Sequence, residues 1–216
     1  MEPSTANMPA LRSIRVILWA AVAVALFVLG ALTVSMYARS GGTRQAALSG
    51  NAISPGAPLG GAFSLLDNKG APVTEAIFRD RPAAVFFGFT HCPDVCPTTL
   101  MDMAAWIEAL GPDADRMRFV FVTVDPERDT PETLRDYLSV FSDRIIGVTG
   151  DPEKVHAMVR DYKIVSRKVP LEGGDYTMDH TASVLLLDAD GSLVGTIARD
   201  EERESAMAKL TRLVAG

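Results

Sequence analysis

The chain has 216 residues, of which 48% are hydrophobic and 22% charged, and a formal net charge of −6 at pH 7. That acidic balance is a poor match for a phosphate backbone and argues against nucleic acid as a partner. Two cysteines cannot build a disulfide framework, so the fold must rest on a hydrophobic core.

A short N-terminal tail, residues 1–15, leads into residues 16–38, which contain no charged side chain. The 23 positions of that run would extend roughly 34 Å as a helix, against a hydrocarbon core of about 30 Å. Trp19 and Tyr37 lie near its ends, where amphipathic rings favour the membrane interface. A cleaved signal peptide is the rival, but the run exceeds a signal core and no crisp A-x-A site follows. We therefore expect an N-terminal transmembrane helix over 16–38.

Arg12 and Arg15 before the run nearly balance Arg39 and Arg44 after it, so charge does not fix the orientation. The short tail and large C-terminal part favour a single-pass membrane protein with its domain on the non-cytoplasmic side, periplasmic in a bacterium. Beyond residue 38 there are 19 basic and 26 acidic residues, about −7 in all. Residues 39–57 are small, polar and Gly/Ser/Pro-containing, as in a flexible stalk. One globular domain, 58–216, follows.

Within it, 61–66 and 71–74 flank an Asp67-Asn68-Lys69-Gly70 turn and read as a β-hairpin. An apolar strand over 83–89 precedes a helix expected from Pro97 to Leu110, stopped by Gly111-Pro112. A second buried strand covers 117–124, followed by a helix over 131–141 capped by Asp129 or Thr130. A short strand at 144–148 and a helix at 152–162 behind Asp151 come next. Residues 163–174 read as irregular, and 175–181 as a polar loop. Strands over 182–187 and 192–197 form a hairpin, and 201–214 closes the chain as an amphipathic helix. Thiols at a strand-to-helix junction, with βαβ followed by ββα, indicate an α/β thioredoxin-like fold.

The chemistry concentrates in Thr90-His91-Cys92-Pro93-Asp94-Val95-Cys96-Pro97. Both cysteines fall where free backbone N–H groups and the helix dipole favour thiolate. With Pro97 opening the helix, Cys96 is expected at its cap and Cys92 in the preceding loop. The sulfurs could close a disulfide or grip one soft metal ion. Three residues separate the cysteines, so the loop is wider than in a C-x-x-C redox motif. Two inert buried cysteines are the bland alternative.

Of three histidines, His91 adjoins Cys92 but points away from it in extended geometry. His156 falls inside a helix and reads as a surface or packing residue. His180 lies in the polar loop entering a core strand, a position that packs beside the cysteine helix in a thioredoxin-like fold. It could present its imidazole to both sulfurs, or serve as a turn histidine. Two sulfurs and one imidazole suit copper with an open coordination position, since a structural zinc site wants four closed ligands. Asp94 and Asp179 are candidates to orient those ligands, or are turn-forming aspartates. For the 125–129 segment, loop structure and helix capping suffice.

The stretches GFTHCPDVCPTTL (88–100), VTVDPERDTPETLRDY (122–137) and DYTMDHTASVLLLDADG (175–191) together resemble the Sco/SenC family of membrane-anchored copper chaperones. The resemblance covers about residues 55–215 and shows no departure at the ligand positions. It implies a thioredoxin-like domain that holds one copper ion, Cu(I) or Cu(II), through Cys92, Cys96 and His180. It implies delivery to the cytochrome c oxidase subunit carrying the dinuclear copper centre, downstream of a copper donor protein. In some members it implies thiol reduction at that centre. The competing function is thus a thiol–disulfide oxidoreductase in which Cys92 and Cys96 are catalytic and His180 is dispensable. A peroxiredoxin is disfavoured, because Val85 and Phe89 stand where that family places Pro and Thr before its reactive cysteine.

Overall fold

In a computed structural model of the chain, the described residues are Trp19 and 59–216. Apart from Trp19, the expected span over 16–38 and stalk over 39–57 lie outside them. Among the described residues no helix is long and apolar enough to cross a membrane.

The hairpin is formed by β1 (Ser64–Asp67) and β2 (Pro72–Thr74), with Leu65 opposite Val73. The Asp67 carboxylate closes its turn by accepting from the Lys69 and Ala71 N–H groups, each at 2.8 Å. Gly70 takes the left-handed conformation there, at φ 80°. β3 (Ala83–Gly88) then runs parallel to β4 (Arg118–Thr123), and β4 runs parallel to β5 (Ile145–Thr149). β8 (Val184–Leu187) lies antiparallel to β3, and β9 (Leu193–Ile197) antiparallel to β8. The resulting seven-stranded mixed sheet has the order β2-β1-β5-β4-β3-β8-β9. All six residues of β3 are buried, which requires cover on both faces of the sheet. This mixed α/β architecture is consistent with the expected thioredoxin-like class.

The cover comes from helices whose ends are set by sequence. In α1 (Val95–Leu110), Leu100, Met103, Trp106 and Ile107 recur at helical spacing and are buried. In α2 (Pro131–Ser139), the Thr130 hydroxyl accepts from the Thr133 N–H at 3.2 Å, so Thr130 and not Asp129 is the cap. In α3 (Pro152–Asp161), the Asp151 carboxylate does the same for Lys154. Phe86, Phe87, Phe119, Phe121, Leu134 and Leu138 fill the centre of the core. Each such side chain contributes about 1.5–3 kcal/mol relative to exposure.

Two expectations are corrected. Helix α1 begins at Val95, not Pro97, so Cys96 lies within its first turn and Pro97 is its third residue. The first four N–H groups of a helix have no intrahelical acceptor, so proline costs nothing there either. The stretch read as irregular and looped contains a second sheet, β6 (Ser166–Pro170) paired antiparallel with β7 (Tyr176–His180). β6 stands largely exposed, so no apolar alternation marks it. Gly173 and Gly174, at φ 86° and 87°, supply its turn. The closing helix, α4 (Arg203–Ala215), buries Ala206, Leu210 and Val214, with Met207 and Leu213 partly buried against the core.

Gly88, the last residue of β3, faces the site. A Cβ there would lie 2.9 Å from the Cys96 sulfur and 2.9 Å from the Phe121 ring. Gly88→Ala is expected to destabilise the domain by about 1–3 kcal/mol through overpacking. Urea unfolding midpoints check this, and a midpoint equal to wild type would contradict the packing described.

Candidate metal centre

The site forms where the C-terminal ends of β3 and β4 meet the hairpin β6–β7. After β3, buried Phe89 is followed by the loop Thr90–Asp94, and the Cys92 N–H donates to the Phe89 carbonyl at 3.3 Å. Asp94 stands at the N-cap of α1 without a side-chain capping bond. The Cys96 N–H donates instead to the Cys92 sulfur, at 3.3 Å. A sulfur thus takes a role usually filled by a capping oxygen. Cys96 is fully buried, Cys92 is half-buried, and neither forms a disulfide.

The third member arrives from 84 residues further along. His180 ends β7, with its Nε2 3.5 Å from the Cys96 sulfur. The ligand atoms of Cys92, Cys96 and His180 all lie within 4.8 Å of one another. His180 Nδ1 sits 3.0 Å from the Thr181 carbonyl oxygen. A carbonyl can only accept, so Nδ1 carries the proton and the Nε2 lone pair faces the sulfurs. The rings of Phe86 and Phe89 meet the imidazole edge-on, with centroids at 6.1 and 5.7 Å.

The sulfurs differ electrostatically. The Cys96 thiol hydrogen-bonds the Cys92 sulfur, and the backbone N–H groups of Asp94 and Cys96 add to it, lowering the Cys92 pKa to about 3 against the cost of partial burial. Cys96 moves in the opposite direction, raised by that same bond and by burial. One thiolate and one thiol therefore share a proton at neutral pH.

A segment that the sequence left without a chemical role holds the cysteine loop. Asp129 is fully buried and accepts from Thr90 Oγ1 and Thr123 Oγ1, each at 2.6 Å, and from the Thr90 N–H at 3.1 Å. Burial raises its pKa, and the donors from Thr123 and Thr90 oppose the shift. Its backbone carbonyl accepts from Thr149 Oγ1 at 2.6 Å. The available signal was its position, directly after a strand parallel to the one that delivers the cysteines.

Asp94 and Asp179, read from sequence either as residues orienting the cysteine–histidine group or as turn aspartates, do not orient that group. Asp94 is exposed and lies 3.6 Å from Arg199, and Asp179 is exposed and pairs with Arg167 at 2.6 Å. Imidazole orientation falls to the Thr181 carbonyl. His91 is exposed and bonded through Nδ1 to Thr90 Oγ1 at 3.0 Å, and His156 is partly buried on α3; neither joins the group.

Two soft sulfurs and an imidazole lone pair form a set that could hold one copper ion, with coordination positions left over. The thiol asymmetry has a direct consequence without any metal. Because the Cys92 pKa is lowered to about 3, its thiolate persists as pH falls, whereas an ordinary thiol loses reactivity about tenfold per unit below its pKa near 8.5. Iodoacetamide should modify Cys92 at nearly the same rate at pH 5 and pH 8 and leave buried Cys96 unmodified, as peptide mass spectrometry would show. A rate that falls with pH as in the urea-unfolded chain would refute the assignment.

The sequence pattern of the SCO1/SenC family matches residues 51–215. The mitochondrial protein SCO2 of Saccharomyces cerevisiae is 36% identical over 157 residues, which are 70% of this chain and 52% of that protein. The chain thus spans about half the length of that relative. Among solved structures, ScoI of Bradyrhizobium japonicum with copper bound superposes with a TM-score of 0.68 at 44% identity, covering 72% of this chain and 99% of that one. Yeast Sco1 with copper bound gives 0.67 at 32% identity, covering 73% and 89%. With a family match across the whole globular part, the chain belongs to the SCO1/SenC family.

Proposed function

We propose that this protein is a copper metallochaperone that binds one ion through Cys92, Cys96 and His180 and delivers it to the dinuclear copper centre of cytochrome c oxidase. The observation that carries this reading is the convergence of those three ligand atoms within 4.8 Å, across 84 residues of sequence. Copper-bound relatives at 44% and 32% identity support the choice of metal. Half-burial of Cys92 leaves one ligand within reach of a recipient's own ligands, as a carrier requires. A copper donor protein would load the site. Residues 16–38 would anchor the chain in a membrane and 39–57 would form a stalk. The domain over 58–216 would face the non-cytoplasmic side.

A second reading draws on the thiol asymmetry. A half-exposed thiolate beside a buried thiol is the arrangement of a nucleophile and a resolving cysteine. The Cys92 thiolate would attack a disulfide of the oxidase subunit, form a mixed disulfide and expel one substrate thiolate. Cys96, giving up its proton, would then attack the Cys92 sulfur. That releases the second substrate thiol and leaves a Cys92–Cys96 disulfide.

Copper titration under reducing conditions distinguishes the two. The chaperone reading expects one Cu(I) per chain, none after oxidation of the cysteines, and affinity lowered more than about tenfold in His180→Ala. Equal affinity in that variant would defeat the three-ligand model. If Cys92→Ser abolished disulfide reduction while His180→Ala left it intact, the oxidoreductase reading would replace it.

A further inference from the structure

The hairpin β6–β7 carries His180 but is no part of the seven-stranded sheet. A polar clamp ties it to the 125–129 segment after β4. The Arg128 guanidinium lies over the Tyr176 ring at 3.8 Å from its centroid, and its Nη1 donates to the Tyr176 carbonyl at 3.0 Å. Arg128 Nε donates to the buried Asp125 carboxylate, which also accepts from the Tyr176 hydroxyl at 2.8 Å. Lys168 on β6 pairs with Glu127 and lies 4.5 Å from the other occupant of the clamp, the Tyr176 ring. Tyr176 is thereby held by ring, hydroxyl and backbone together. The clamp also reaches the ligand: Phe89 lies between Arg128, 6.0 Å from its ring centroid, and His180, 5.7 Å from it.

Resting on the three-ligand reading, we propose that Arg128, acting through Tyr176 and Phe89, is a positioning residue that fixes the His180 imidazole against the two sulfurs. The chemistry of the clamp selects arginine. A planar guanidinium can stack on a ring while donating in its own plane to a carboxylate and a carbonyl, and an ammonium cannot. Arg128 Nη2 is buried without a hydrogen-bond partner among the described residues. A surface ion pair has no need to bury an unmatched donor, whereas a residue held for its shape tolerates one. The same five-residue segment therefore serves both halves of the site: Asp129 holds the cysteine loop, and Arg128 holds the histidine hairpin.

A double-mutant cycle in the full-length chain tests this, with Cu(I) affinity measured by competition against a chromophoric chelator. Arg128→Lys keeps the charge and loses the stack; it should weaken binding about tenfold. In a His180→Ala background the same change should have no further effect, because the ligand being positioned is gone. Tyr176→Phe, which removes only the hydroxyl bonded to Asp125, should show the same dependence to a smaller degree and serves if Arg128→Lys folds poorly. In the metal-free chain, the His180 ring nitrogen signals should show one Nδ1–H tautomer in wild type and averaging in Arg128→Lys. Equal losses in both backgrounds, or an unchanged ring spectrum, would overturn the proposal. If His180→Ala by itself left affinity unchanged, the three-ligand reading would fail, and the metal-free ring spectrum would still decide whether Arg128 positions the imidazole.

Discussion

The buried carboxylate of Asp129 is the constraint on which the site depends. Its partners come from the ends of all three parallel strands: Thr90 just beyond β3, Thr123 at the end of β4, and Thr149 at the end of β5 through the Asp129 carbonyl. Parallel strands present their C-terminal ends on one edge of a sheet, and loops emerging there can meet. Meeting is not the same as being fixed. Burying a carboxylate is costly unless its lone pairs are filled, and here the Thr90 and Thr123 donors fill them. The loop conformation that satisfies Asp129 is therefore selected strongly over others. Thr90, two residues before Cys92, is in that loop, so the requirement of a buried acid becomes the placement of a sulfur.

The second sulfur is placed by packing. Cys96 enters the core within the first turn of a helix whose apolar face is already committed by Leu100 and Met103. It finds room because Gly88 has no side chain. One thiol is thus held in a dry environment and kept protonated, while its neighbour at the loop keeps access to solvent and to the helix N–H groups. The difference in reactivity between two chemically identical groups follows from the few ångströms separating the buried core from the loop that enters the helix.

The sheet and the cysteine pair were legible in the sequence because each leaves a local trace, whereas His180 was reached through the fold class and the family resemblance. The apolar runs at 83–89 and 117–124 mark buried strands, Thr130 and Asp151 mark helix starts, and the cysteine spacing marks a shared loop. What stayed hidden has no local trace. The hairpin β6–β7 is held by Arg128 and Asp125 from elsewhere in the chain, and β6 shows an exposed, charged pattern that looks like loop. Asp125 and Asp129 look like turn aspartates in sequence, and only the parallel pairing of β3 with β4 reveals what they touch. For Asp94 and Asp179 the sequence left two readings open, orienting a ligand or forming a turn. Asp94 lies two residues from each cysteine and Asp179 directly precedes His180, yet each side chain turns to solvent and an arginine. Asp179 directly precedes His180 on β7, and successive side chains of a strand point to opposite sides.

The geometry also bears on why such a site could accept a cation with little rearrangement. Three heteroatoms converge, the Cys92 thiolate, the Cys96 thiol and the His180 Nε2 lone pair, and a single Cys96 proton is available to bridge them. One proton can satisfy only one of the two acceptors at a time, so the other lone pair is left without a donor in a low-dielectric site. A soft cation with three short bonds would take the place of that proton and satisfy all three atoms together. The ligands would need to close by small side-chain movements, not by refolding, since Thr181, Phe86 and Phe89 already hold the ring and Asp129 already holds the loop. Preorganisation of this kind lowers the free energy needed to order the ligands on binding.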